Sequence, residues 1–175
     1  MPLVASLNFD IWWVYKSKDF RPTYVKTMNC YLEFFETSIQ AHFIALLVAL
    51  YALHETRGDT FNIPRLVRIL KKENAISGNA LTNVTQLLAE IKPLSIKVGI
   101  LRNKAFGHRS DSLTIAQTFK QARVMPNELK RLVELTKNLL NAVTGDLDGS
   151  VHLFNLGAGQ ATIRVLKDLK TLHEP

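Results

Sequence analysis

The run from Phe43 to Leu53 constrains this chain more than any other feature. It is apolar at every one of its 11 positions and is bracketed by His42 and His54. A membrane span needs about 20 such residues, so the run reads as a helix buried in a protein core. Upstream, apolar residues recur at helical spacing (Met28, Tyr31, Leu32, Phe35, Ile39). A helix apolar on most sides belongs in the middle of a bundle, so the spacing predicts one long helix from Thr23 to Thr56 at the centre of an all-α fold.

The rest of the chain agrees. No stretch of period-two alternation is long enough to build a sheet. Helices are expected over Val4–Lys16, from Asn62-Ile63-Pro64 to Lys72, over Ala80–Phe106, from Asp111-Ser112 to Ala122, over Pro126–Val143 and over Ala158–Leu172. Asn62 is the expected N-cap of the second of these, with Pro64 in its first turn. Pro93 removes a backbone donor inside Ala80–Phe106 and predicts a kink near Ile91. Gly145–Gly149 reads as a loop. The 175 residues thus predict a single-domain helical bundle of six to seven helices, with no repeat or interdomain linker. No basic n-region precedes an apolar stretch at Met1–Ser6, and the lone Cys30 suggests a reducing compartment, so a cytoplasmic protein without membrane attachment is expected.

Charge is distributed unevenly. Between Lys92 and Lys137 lie ten Lys and Arg against Asp111, Glu128 and Glu134, and this segment carries the whole net charge of +7. Such a zone attracts polyanions, nucleic acid first among them, although a solvated basic surface gives the same count.

Most motifs of chemistry are missing. There is no CxxC, HExxH, EF-hand loop or phosphate-binding loop, and the five histidines show no ligand pairing, so neither metal nor cofactor is expected. His108, Ser110 and Asp111 have the letters of a hydrolase triad but no nucleophile elbow. Ile63–Glu90 could form a DNA-reading helical hairpin. Its second helix, however, offers Thr82, Asn83, Thr85 and Gln86 and no cation before Lys92.

One cluster remains, Leu101-Arg102-Asn103-Lys104-Ala105-Phe106-Gly107-His108. Its Arg-Asn-x₄-His pattern resembles the HEPN superfamily signature. The wording RNKAFGH followed by RSD looks most like the abortive-infection AbiU-type branch. The preceding helical hairpin fits as well, and the resemblance spans roughly Leu32 to Asp111.

The resemblance implies a HEPN-like helical fold, metal-independent cleavage of RNA and a homodimer built around the motif. It also implies a role in phage defence or a toxin system, where a cognate antitoxin protein is a possible partner. In some HEPN toxins a modifiable Tyr lies two positions after the His. Here that position is Ser110, which does not support silencing by that route.

The residue chemistry is compatible. RNA brings its own 2′-hydroxyl nucleophile. Histidine in general titrates near neutrality, so His108 can move a proton. Arg102 can hold two phosphate oxygens and stabilise transition-state charge. Asn103 can orient the 2′-hydroxyl or the His108 ring. Lys97, Lys104 and Arg109 flank the motif as expected RNA contacts. A non-catalytic HEPN module that binds RNA or a protein remains the alternative.

Geometry restricts the site. On an ideal helix Arg102 and His108 lie about 120° apart and about 9 Å apart in rise. Either the helix ends at Gly107 and His108 turns back, or two chains share the site. Ser95, Gly99, Arg102 and Phe106 form one stripe, whose small residues allow close approach of a dimer mate or of a helix in the same chain.

Overall fold

The computed structural model describes residues 1–107 and 115–173. Among them there is no strand. Eight α-helices follow in order: α1 (Pro2–Lys16), α2 (Arg21–Asn29), α3 (Leu32–His54), α4 (Ile63–Lys72), α5 (Gly78–Leu101), α6 (Ile115–Ala122), α7 (Pro126–Leu147) and α8 (Ala158–His173). A π-helical turn, Arg102–Gly107, continues α5. The expected start of α6 at Asp111-Ser112 lies outside the described residues.

The chain packs as two compact units. One comprises Met1–Pro2 with Leu47–Phe154, and the other Leu3–Leu46 with the segment from Asn155 on. In the second unit, Val14 and Tyr15 of α1, Tyr24 and Met28 of α2, Phe35 of α3 and Leu166 of α8 close one buried cluster. Trp12 and Phe43 stack beside it at 5.4 Å. The first unit buries Leu50 and Leu53 of α3 with Ile63, Val67 and Leu70 of α4. To these are added Val84, Ile91, Val98 and Leu101 of α5 and Leu129, Leu132 and Leu139 of α7.

Three helix boundaries differ from expectation, each for a physical reason. The predicted Thr23–Thr56 helix is two helices. The chain bends at Cys30-Tyr31, where the Cys30 N–H is shared between Lys26 O and Thr27 O and the Tyr31 N–H goes back to Met28 O, a tightened i→i+3 turn. No Gly or Pro marks the bend. Apolar spacing runs through it because Met28 and Phe35 on its two sides enter the same cluster.

Helix α7 runs through Gly145 to Leu147, where a loop was expected. Its last turn is held by long-range bonds. Asp146 accepts from the Ser77 N–H and the Ser77 hydroxyl, each at 2.7 Å, and those bonds hold its carboxyl below the usual range. Ser77 in turn accepts from the Ala80 N–H at 3.2 Å and caps α5, which starts at Gly78 rather than Ala80.

Asn62 caps α4 as expected, accepting from the Arg65 N–H at 2.9 Å. Helix α5 continues through Pro93, which lies on an exposed face where the carbonyl it leaves unpaired can be hydrated. Helix α3, at 23 residues, is long and apolar enough to cross a membrane by length and composition. Leu50 and Leu53, from its C-terminal half, lie within the first unit's core.

Candidate functional site

The site begins where α5 passes Tyr51 of α3. Gly99 has no side chain, and a Cβ there would stand 3.7 Å from the edge of the Tyr51 ring. One helical turn on, Arg102 lays its guanidinium over the face of the same ring, 4.7 Å from the centroid. A cation so placed gains about 0.5–1 kcal/mol from the ring quadrupole, and more where water is excluded. Arg102 Nη1 also donates to Asn103 Oδ1 at 3.0 Å. Arg102 is half-buried and Asn103 exposed. The stripe Ser95, Gly99, Arg102 expected to meet a neighbour therefore meets one in its own chain at Gly99 and Arg102, while Ser95 borders an open cleft.

Backbone geometry changes at the same place. Residues 102–107 wind as a π turn, with i→i+5 bonds in a wider coil. The α-helical projection that kept Arg102 and His108 apart therefore stops applying at Arg102. His108 and Arg109 lie outside the described residues, as do Ser110 and Asp111.

The basic residues around the motif differ in their commitments. Lys97 forms an ion pair with Glu128 Oε1 at 2.5 Å and donates to Arg123 O at 3.2 Å. The other Glu128 oxygen accepts from the Met125 N–H at 2.9 Å. Glu128 thus ties α5 to the first turn of α7, and Lys97 holds its carboxyl below the usual range. Lys104 donates to Gln121 on α6 at 3.2 Å. Arg131 pairs with Glu90 at 2.7 Å. Glu90, from outside the basic segment, thus offsets one of its charges, while Glu128 was already counted against it. Lys92, Lys120 and Arg123 lie exposed.

In the α4–α5 hairpin, Thr82 and Thr85 donate their hydroxyl protons to Gly78 O and Leu81 O of their own helix. No group of three His, Cys, Asp or Glu converges among the described residues.

Two residues at this site were not singled out from the sequence. Tyr51 reads there as one more apolar residue of a core helix, and its role depends on Gly99 and Arg102, about fifty positions away. His54, three residues on from Tyr51, is buried at 6% exposure, and desolvation pushes its pKa down to about 4. A histidine closing an apolar run was the available signal, but its partner Thr136 is 82 positions distant.

No curated protein and no solved structure matches the chain significantly. A family model described as AbiU2, of the HEPN type, matches residues 3–167. That match covers both units and includes the Arg102-Asn103 turn, and so this chain belongs to the AbiU2 family of HEPN domain proteins.

Proposed function

We propose that the protein is a metal-independent endoribonuclease of an abortive-infection or toxin system. The observation that carries this reading is the Arg102-Asn103 pair, held on a π turn with the guanidinium fixed against Tyr51. In the proposed reaction the RNA 2′-hydroxyl attacks the adjacent phosphorus and the 5′-oxygen leaves. The products are a 2′,3′-cyclic phosphate and a 5′-hydroxyl end.

Arg102 holds non-bridging phosphate oxygens through its planar fork, and the ring beneath restricts the angle of that plane. The charge gathering on those oxygens is then met by a donor already in place. Asn103 orients the 2′-hydroxyl or the ring of His108. His108 transfers the proton, a task for which an imidazole is suited in general. Lys104 and Arg109 serve as backbone contacts. Lys97 contributes through the Glu128 tie that steadies α5. Two chains pair around the motif in this reading, in the cytoplasm, with an antitoxin protein as a further partner.

The test is cleavage of mixed RNAs by purified protein in excess EDTA, with analysis of the ends. Cyclic phosphate ends are expected, together with a loss of about 10²-fold or more in His108→Ala and in Arg102→Ala. Strict dependence on a divalent ion overturns the mechanism. Full activity in a folded His108→Ala protein removes His108 from the mechanism, and no cleavage by the parent protein favours a non-catalytic module, in which the Arg102-Tyr51 contact is structural.

A further inference from the structure

A second basic surface lies outside the segment that carries the net charge. Helix α4 buries Ile63, Val67 and Leu70 in the first unit's core. Arg65, Arg68, Lys71 and Lys72 occupy a sector of about 120° outside that buried stripe, spread over about 10 Å of rise. No acid occurs in the chain between Asp59 and Glu73. Arg68 and Lys71 are exposed and reach no acceptor among the described residues. Arg65 donates to Thr60 O at 3.2 Å, a neutral carbonyl that leaves its charge uncancelled. Lys72 is partly offset by Glu73 at 3.7 Å.

An aromatic ring stands at the start of this face. Phe61 is 84% exposed and precedes Asn62, the cap of α4. A ring left so far in water adds little to the core and keeps a π-face free. The loop that carries it also reaches the motif. Thr56 and Arg57 border the cleft that runs along Gly99 and Tyr51, the ring on which Arg102 rests. Asn62 Nδ2 donates to Arg57 O at 2.8 Å, so the loop ties the start of α4 to the rim of that cleft.

We infer that the exposed face of α4, together with Phe61, docks a single-stranded stretch of the RNA outside the cleaved position. The inference takes its ligand from the ribonuclease reading above. Cations spaced along a helix attract phosphates and an exposed ring stacks a base, the two parts of a single-strand binding surface. Other partners fit less well. A membrane takes up the apolar face of an amphipathic helix, and that of α4 is buried in the core. A protein interface centres on aromatic and apolar anchors with a polar rim, whereas here the cations hold the centre and the ring the edge. A duplex read by the α4–α5 hairpin wants cations on the second helix, where Thr82 and Thr85 bond their own backbone instead.

The probe is a fluorescent RNA of about 20 nucleotides and mixed sequence with every 2′-hydroxyl methylated, so that it binds without being cut. Its affinity for the full-length protein is read by anisotropy at several salt concentrations. Arg68→Ala with Lys71→Ala removes two phosphate contacts and should weaken binding about tenfold, lowering the salt slope by about 1.4. Phe61→Ala should weaken it about fivefold or more. Lys18→Ala with Lys26→Ala takes the same charge from two exposed lysines of the other unit and should change affinity little.

Parental affinity in either of the first two variants, shown to be folded by circular dichroism, overturns the docking face. So does an equal loss in the Lys18 and Lys26 control, which would make net charge the cause. Tighter binding of the matching duplex, or displacement of the RNA by polyglutamate at equal charge, assigns the face to a duplex or to an acidic protein instead. Cleavage of unmodified RNA is assayed beside binding, and the weakened variants should show a raised KM with kcat unchanged. Parental binding with cleavage intact removes the docking face and leaves the nuclease. Binding through α4 by a protein that cleaves no RNA removes the nuclease reading and leaves the face to a non-catalytic RNA-binding module.

Discussion

The guanidinium of Arg102 lies over the ring of Tyr51 at 4.7 Å, and the two residues come from helices separated by about fifty positions of chain. The contact fixes the plane of the one side chain in the motif whose fork can match a phosphate. Gly99, one turn earlier, sets no side chain larger than a methyl group against the ring edge. A side chain held before substrate arrives loses less freedom on binding it.

Replacement of Tyr51 tests that role. Tyr51→Leu keeps an apolar side chain of smaller size but removes the ring and its quadrupole. We expect RNA cleavage to fall by about fivefold or more, the scale of a lost cation–π contact, with the helical circular dichroism unchanged. Tyr51→Phe retains the ring face and should cleave at close to the parental rate. Equal loss in both variants would assign the effect to the hydroxyl instead.

Gly99 separates a packing role from an assembly role. Ordinary van der Waals space remains for one methyl group, since a Cβ would lie 3.7 Å from Tyr51. Gly99→Ala should therefore be tolerated, and the gain in helix propensity is about 0.5–1 kcal/mol. Gly99→Leu must displace the Tyr51 ring and with it Arg102, at a cost of about 1–3 kcal/mol. Activity should drop while the mass measured by light scattering stays that of the parent. A folded Gly99→Leu protein of smaller mass would instead make this edge a contact between copies.

His54 makes stability depend on pH. Its pKa is lowered by burial from 6.5 to about 4, so the unfolded chain binds a proton in a range where the folded chain does not. Stability from this group is fully present above pH 6.5 and is lost as the pH falls toward 4. Across that window the loss approaches about 3 kcal/mol, at about 1.4 kcal/mol per pH unit of difference. Urea midpoints of the parent and of His54→Gln at pH 7 and pH 4.5 check this. The parent should lose more stability than the variant by roughly 2–3 kcal/mol. Parallel losses would mean that His54 can be protonated in the fold.

The tie between Lys97 and Glu128 is worth less than its short distance implies. Both side chains are about 30% exposed, so solvent screens the pair. Glu128→Gln should cost at most about 1 kcal/mol in thermal or urea unfolding, and the difference should shrink in high salt. Lys97 keeps Glu128 ionised below the ordinary carboxylate range, so the contribution persists above the usual pKa near 4.5 and fades as acid protonates the folded carboxylate. A loss insensitive to salt would point to the Met125 cap bond as the main contribution.

The sequence alone determined whatever depends on neighbours within about one helical turn. Asn62 three residues before Arg65, Pro126 opening α7 and the 3.6-residue apolar period all act locally, so the all-α class and most helix ends were legible. The Arg102-Asn103 pair was legible too, as spacing within one segment. Tertiary structure decided what depends on which distant groups meet. The bend at Cys30-Tyr31 has no local breaker and exists because Met28 and Phe35 enter one core. Helix α7 passes Gly145 because Asp146 reaches Ser77. Lys97 reads as a surface cation until Glu128 is brought to it, and Tyr51 and His54 read as core until Arg102 and Thr136 arrive. Each of these pairings balances loop closure, desolvation and packing over tens of residues, and that balance is struck only once the chain has folded.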